Sequence, residues 1–182
     1  MRFYKIIVGC DISMQVTIRQ ATGEDAEIIS FIGITSWQAA YRGIVHDSYL
    51  DSLSVEQRKK HLAKSLAVSD NHFALAQIDD QDAGMICFYP SQNEKVTQST
   101  WEVEALYILP QYWNKGIGHA LMRYAFEYMK DQKITFCELW VLAENTRARK
   151  FYERLGFSFT GIEKTISIGS RDLIQVCYRI RL

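Results

Sequence analysis

The sequence predicts an α/β domain, and three stretches carry that prediction. A strand-like run from Trp101 to Ile108 leads through Pro110 to Asn114-Lys115-Gly116-Ile117-Gly118, and a helix-like run begins at His119. The run from Phe136 to Leu142 is almost continuously apolar, as expected of a strand covered on both faces, and so reads as central. It passes into a short helix-like run closed by Gly156. At 182 residues the chain is long enough for one domain with a real core and short for two.

The elements follow in order. Val16 to Ile18 reads as an opening strand, and Thr22-Gly23-Glu24-Asp25 as a capping box, the threonine accepting from helix amides and the acid reaching back. A helix is expected after it, with Ala26, Ile29 and Ile32 on one stripe that Trp37, Ala40 and Tyr41 extend if the pattern survives Gly33. Ser54-Val55-Glu56-Gln57 opens another helix, to about Val68. His72 to Ile78 and Ala83 to Tyr89 read as a hairpin around the acidic turn Asp79-Asp80-Gln81-Asp82. In the next strand, simple alternation puts Trp101, Val103, Ala105 and Tyr107 on one face and Glu102, Glu104, Leu106 and Ile108 on the other. The second face, two carboxylates beside two apolar groups, is a candidate site wall. After Gly118, Leu121, Ala125 and Tyr128 beside Met122, Phe126 and Met129 form a broad apolar helix side that reads as core. The chain closes with strands near Ser158 to Ile168 and Leu173 to Ile180.

Composition narrows the function. Lys+Arg and Asp+Glu balance at 21 each, which removes the charge footprint of a nucleic-acid binder. No segment approaches the roughly twenty apolar residues of a membrane span. Cys10, Cys87, Cys137 and Cys177 show no metal-ligand spacing, and no metal is expected. Cys137 and Cys177 lie in strand-like runs and read as small buried apolar residues, in keeping with a reducing cytoplasm. Residues 1–13 read as a leader or mobile tail, with the domain over 14–182; their apolar run is too short for a signal.

The glycine-bearing junction suits an anion. Gly116 and Gly118 have no Cβ, so the chain can turn through positive φ or lie close against a ligand. The unpaired amides of the helix's first turn, at the positive end of its dipole, then face a phosphate group. A dinucleotide-binding oxidoreductase fits poorly, because the third glycine position holds Leu121.

Together with Val141-Leu142-Ala143-Glu144-Asn145-Thr146-Arg147-Ala148-Arg149-Lys150-Phe151-Tyr152-Glu153-Arg154-Leu155-Gly156-Phe157, this junction resembles the GNAT family of N-acetyltransferases. The likeness is strongest from Glu102 to Phe157 and runs more loosely from Ile18 to the last strand. It implies a mixed, largely antiparallel sheet with a central splayed parallel strand pair and helices on both faces. One departure stands out: Trp113 occupies the family's Gln or Arg position at the pyrophosphate loop.

The resemblance implies acetyl-CoA as cofactor, a small-molecule or peptide amine as acceptor, and direct attack in a ternary complex. It assigns Leu106, Tyr107 and Ile108 to the pantetheine arm and Asn114, Lys115, Gly116, Ile117, Gly118 and His119 to the pyrophosphate. Asn145 and Arg147 join the cofactor site, although capping a helix would also explain Asn145. Tyr152 corresponds to the tyrosine that protonates the leaving thiolate, and sits beside the cofactor. Glu102 corresponds to an acid that takes the amine's proton, directly or through a water, with Glu104 as the alternative. Trp37 and Tyr41, with Glu104, are candidates for the acceptor pocket, although both aromatics could simply fill the core. The resemblance also admits a homodimer through the terminal strands, and a coenzyme A-binding relative without catalysis.

Overall fold

The computed structural model describes residues 4–7, 15–91 and 99–182. Its single sheet runs β1 (Tyr4–Ile7), β2 (Gln15–Gln20), β3 (His72–Ile78), β4 (Gln81–Pro90), β5 (Thr100–Ile108), β6 (Phe136–Leu142), β8 (Arg171–Arg181), β7 (Ser158–Ile168). All neighbours are antiparallel except β5 and β6. The mixed sheet and its parallel pair agree with the expected fold class. The expected leader falls mostly outside the described residues; within it, Tyr4–Ile7 pair with β2.

Helices cover both faces. On one, α1 (Ala26–Ala40), α2 (Asp47–Ser52) and α3 (Val55–Leu66) gather, and Ile29 and Ile32 of α1 pack with Phe73, Leu75, Met85 and Cys87. On the other, α4 (Ile117–Asp131) buries Leu121, Met122, Ala125 and Met129 against Val103, Leu139 and Tyr178, and α5 (Thr146–Arg154) adds Phe151 and Tyr152. Each large apolar side chain so buried contributes about 2 kcal/mol. This is the broad apolar side expected after Gly118.

Local chemistry explains the boundaries. Asp25 accepts from the Thr22 amide at 2.7 Å, closing the expected capping box, and a short 3-10 turn over Gly23–Asp25 precedes α1. Helix α1 passes through Gly33 without a break, and Arg58 of α3 crosses there. A Cβ at Gly33 would stand 3.1 Å from the Arg58 Nε. Asp79 and Asp80 take positive φ (48° and 61°), giving the tight reversal between β3 and β4. The short helix α2 was not expected; it forms under Leu50, which is fully buried with Val45 and Leu142.

The alternation read along β5 needs correction. Phe88 faces Val103 but Cys87 faces Ala105, so Glu104 is the extra residue of a β-bulge. Before the bulge Trp101 and Val103 face α4; after it Leu106 and Ile108 take that side, and Ala105 and Tyr107 turn toward α1. Simple alternation would have required an unbroken ladder.

Candidate active site

Pairing between β5 and β6 runs from Thr100↔Phe136 to Val103↔Leu139 and then lapses, although both strands continue. The parted halves open a cavity of about 500 Å³ between Leu106, Tyr107 and Ile108 on one side and Trp140, Val141 and Asn145 on the other. A wedge of this shape has room for an arm of an extended ligand, in the manner of strand addition.

At one end lies the glycine junction. Asn114 (φ 61°) and Gly116 (φ 77°) take left-handed backbone, and α4 starts at Ile117. Ala120 makes the first helical bond, to the Gly116 carbonyl at 3.0 Å, so the amides of Ile117, Gly118 and His119 precede the ladder. Asn114, Gly116, Ile117, Gly118 and His119 all line the cavity. Gly118 serves a different need from Gly116: a Cβ there would meet the Phe151 ring at 3.1 Å. Its smallness lets α5 pack against the start of α4. Lys115 is off the cavity wall, its Nζ lying 5.3 Å from the Tyr112 ring centroid.

Trp113, at the family's Gln or Arg position, also lines the cavity. Its indole nitrogen donates to the Ile108 carbonyl at 2.8 Å, and the Arg147 guanidinium stacks on its ring at 3.6 Å. Ser36, on α1, donates to the same carbonyl at 3.0 Å. Asn145 caps α5 by accepting from the Ala148 amide at 3.1 Å and also hydrogen-bonds Tyr41. The capping reading of Asn145 is thus seen directly, and an amide side chain accepts and donates at once, so the cap does not exhaust it.

At the other end three phenols converge. Burial raises the pKa of Tyr41, Tyr107 and Tyr152, and Tyr152 is pushed further by Tyr41 and Tyr107. All three stay neutral donors near neutral pH. Trp37 does not line the cavity; it stands behind Tyr107, donating to its hydroxyl at 2.8 Å, and meets Tyr41 edge-on. Glu104 lines the cavity, whereas Glu102 does not. Glu102 is half-buried beside Glu138, its partner across the parallel pair. Burial raises the Glu102 carboxyl to about 6 against the opposing charge of Lys164, with Glu138 and Glu104 adding to the rise.

Sequence reading missed Ser36, Trp140, Glu138 and Arg154. Ser36 and Trp140 sit in apolar stretches where only position in the fold marks them. Glu138 is the one with a sequence signal, a charge inside the otherwise apolar run of β6. It is fully buried and accepts from Arg179 at 2.9 Å. Arg154 lines the cavity from the last turn of α5.

An amide cradle, a wedge between parted strands and a buried phenol at its head match what an acyl-CoA requires. Residues 33–157 match the profile of the Acetyltransferase (GNAT) family. The chain belongs to this family. The spermidine N(1)-acetyltransferase of Thermoplasma acidophilum is 30% identical over 149 residues, 79% of this chain and 89% of that protein. An uncharacterized N-acetyltransferase of Archaeoglobus fulgidus is 30% identical over 140 residues, 74% of this chain and 88% of that one. Among solved structures, the PaiA N-acetyltransferase of Thermoplasma acidophilum in complex with coenzyme A superposes with a TM-score of 0.74 and 26% identity, covering 92% of this chain and 99% of that one. As a GNAT member the protein is an acetyl-CoA-dependent N-acetyltransferase. No helix among the described residues is long and apolar enough to cross a membrane.

Proposed function

We propose that this GNAT enzyme acetylates a primary amine of a small cationic molecule by direct attack in a ternary complex. The observation that carries the reading is a neutral buried phenol, Tyr152 of α5, on the wall of the cavity between the parted strands, with Glu102 of β5, a carboxyl raised to about 6, set back from that wall. Bound acetyl-CoA supplies the acetyl group as a thioester. The cradle amides of Ile117, Gly118 and His119, with Asn114, Gly116 and Arg147, hold its phosphates. The backbone of Leu106, Tyr107 and Ile108, together with Asn145, seats the pantetheine arm.

An alkyl ammonium has a pKa of about 10.4 and cannot attack until it loses a proton. Glu102 takes that proton through a water, since it stands off the cavity wall, and at about 6 it is ionised at neutral pH. Tyr152 holds a proton at its hydroxyl oxygen for the departing sulfur. Buried Cys87, Cys137 and Cys177 all have raised pKa values, so none offers a thiolate for a covalent intermediate.

Support for a cationic acceptor comes from Glu104 on the wall, with Glu102 and its strand partner Glu138 set back from it. Trp37 shapes the same pocket through Tyr107. A spermidine acetyltransferase among the relatives points the same way. The buried thiols suit a reducing cytoplasm, and the outer strand β7, with Phe159 and Ile162 exposed, offers an edge for pairing two copies. A thiol-release screen with acetyl-CoA and monoamines, polyamines, amino acids and peptides tests the reading. Release with polyamines above the others is expected; binding of acetyl-CoA without release from any amine would overturn it.

A further inference from the structure

We propose that α5 reads two separate phosphate groups of the cofactor, Arg147 the pyrophosphate at the amide cradle and Arg154 the ribose 3′-phosphate, with Trp113 holding Arg147 in place. The inference rests on acetyl-CoA occupying the cavity described above.

Arg147 and Arg154 are seven residues apart, so they share one face of α5 at about 10 Å along the axis. Both line the cavity, with Phe151 between them. Neither has a carboxylate or hydrogen-bond partner among the described residues, whereas Arg149, on another face of the same helix, donates to the Tyr178 hydroxyl at 3.0 Å and the Ala143 carbonyl at 3.1 Å. Arg149 is thus a structural cation, whereas Arg147 and Arg154 are exposed, with their donors open to water or a ligand. What burial Arg147 has disfavours its charge, and no acid among the described residues pairs with it.

Trp113 supplies the geometry. Its indole N–H is fixed on the Ile108 carbonyl at 2.8 Å, so the ring is a rigid platform for the guanidinium stacked 3.6 Å above it. A stacked guanidinium keeps its in-plane donors free, and those donors match phosphate oxygens. Lys115, the nearest alternative cation on the loop, lies over Tyr112 instead. At the C-terminal end of α5, Arg154 lines the same cavity, and Phe151 before it meets His119 of the cradle edge-on. Coenzyme A carries two anionic centres, a pyrophosphate and a ribose phosphomonoester, for these two cations.

Calorimetric titration of the full chain with coenzyme A and with dephospho-coenzyme A, which lacks only the ribose phosphate, separates the two roles. The wild-type protein should bind coenzyme A at least about tenfold more tightly. Arg154→Ala should bring coenzyme A down to the dephospho affinity and leave dephospho-coenzyme A unchanged. Arg147→Ala should weaken both by the same factor, about ten- to a hundredfold, and Trp113→Ala should do likewise while adding little to Arg147→Ala. Melting curves confirm that each variant is folded, and Trp113→Phe, which keeps an aromatic platform, should lie between Trp113→Ala and wild type. Equal wild-type affinities, a preference that survives Arg154→Ala, or losses at Trp113 and Arg147 that multiply would overturn the proposal. Wild-type protein that is folded yet binds neither ligand would remove the cofactor assignment itself.

Discussion

Glu102 and Glu138 are Cα partners across the parallel pair of strands, and Glu138 is fully buried. Burial lifts the Glu102 carboxyl to about 6 against the opposing charge of Lys164, and Glu138 adds to the rise. The rate of acetyl transfer should climb with pH through about 6. Glu102→Gln should move that limb upward toward the acceptor amine's own pKa, and Glu138→Gln should move it downward. An identical pH profile in Glu102→Gln would remove Glu102 from proton transfer.

The same shift bears on stability. A carboxyl whose folded pKa is raised binds its proton more tightly folded than unfolded, so it costs stability above about 6 and costs nothing below its unfolded value. Allowing for partial exposure, Glu102→Gln should stabilise by about 1 kcal/mol at pH 8 and by nothing at pH 4. Urea titrations at the two pH values measure the difference; equal gains would contradict the raised pKa.

Tyr152→Phe keeps the ring that packs against Phe151 and Phe157 and removes only the hydroxyl. Turnover should fall by about a hundredfold with acetyl-CoA affinity unchanged. A variant with full turnover would show that the thiolate leaves without this proton.

Gly84 and Gly118 have close neighbours of different kinds. A Cβ at Gly84 would stand 2.9 Å from the Tyr107 carbonyl oxygen, a backbone atom held in the β4–β5 ladder, whereas at Gly118 the neighbour is the Phe151 ring. Gly84→Ala should therefore cost about 3 kcal/mol and Gly118→Ala about 1 kcal/mol, read by denaturant midpoints. The reverse order would mean that β5 yields more easily than α5.

Asp25 accepts two hydrogen bonds from Arg19, at 2.7 and 2.9 Å, and these bonds lead the effects that hold its carboxyl below the usual range, with burial opposing. A depressed acid contributes stability above its unfolded pKa of about 3.9 and loses it as pH falls through the folded value. Asp25→Asn should cost about 2 kcal/mol at pH 7 and converge on wild type in strong acid. A difference that persists in acid would assign the loss to packing.

Much of the site was legible because its signals are local. The reversal at Gly116 and the reach of Asn145 onto the next helix follow from a residue's own conformational range and its nearest neighbours. The bulge was not legible: nothing in Glu102-Val103-Glu104-Ala105 reveals that Glu104 will fall out of register, since that depends on how β4 pairs with it. Glu102 itself lies where β5 and β6 are still paired, off the cavity wall.

The sequence by itself determined the order of β2 to β8 and of the helices other than α2, the amide-bearing turn before α4 and the buried character of Phe136 to Leu142, because propensity, turn chemistry and apolar period act over a few residues. Only the tertiary structure decided that Trp113 lies under Arg147, that Trp37 answers Tyr107 and that Glu138 stands beside Glu102. Those contacts join segments far apart in the chain. They are chosen by the packing of the whole sheet and its helices, which no single stretch contains.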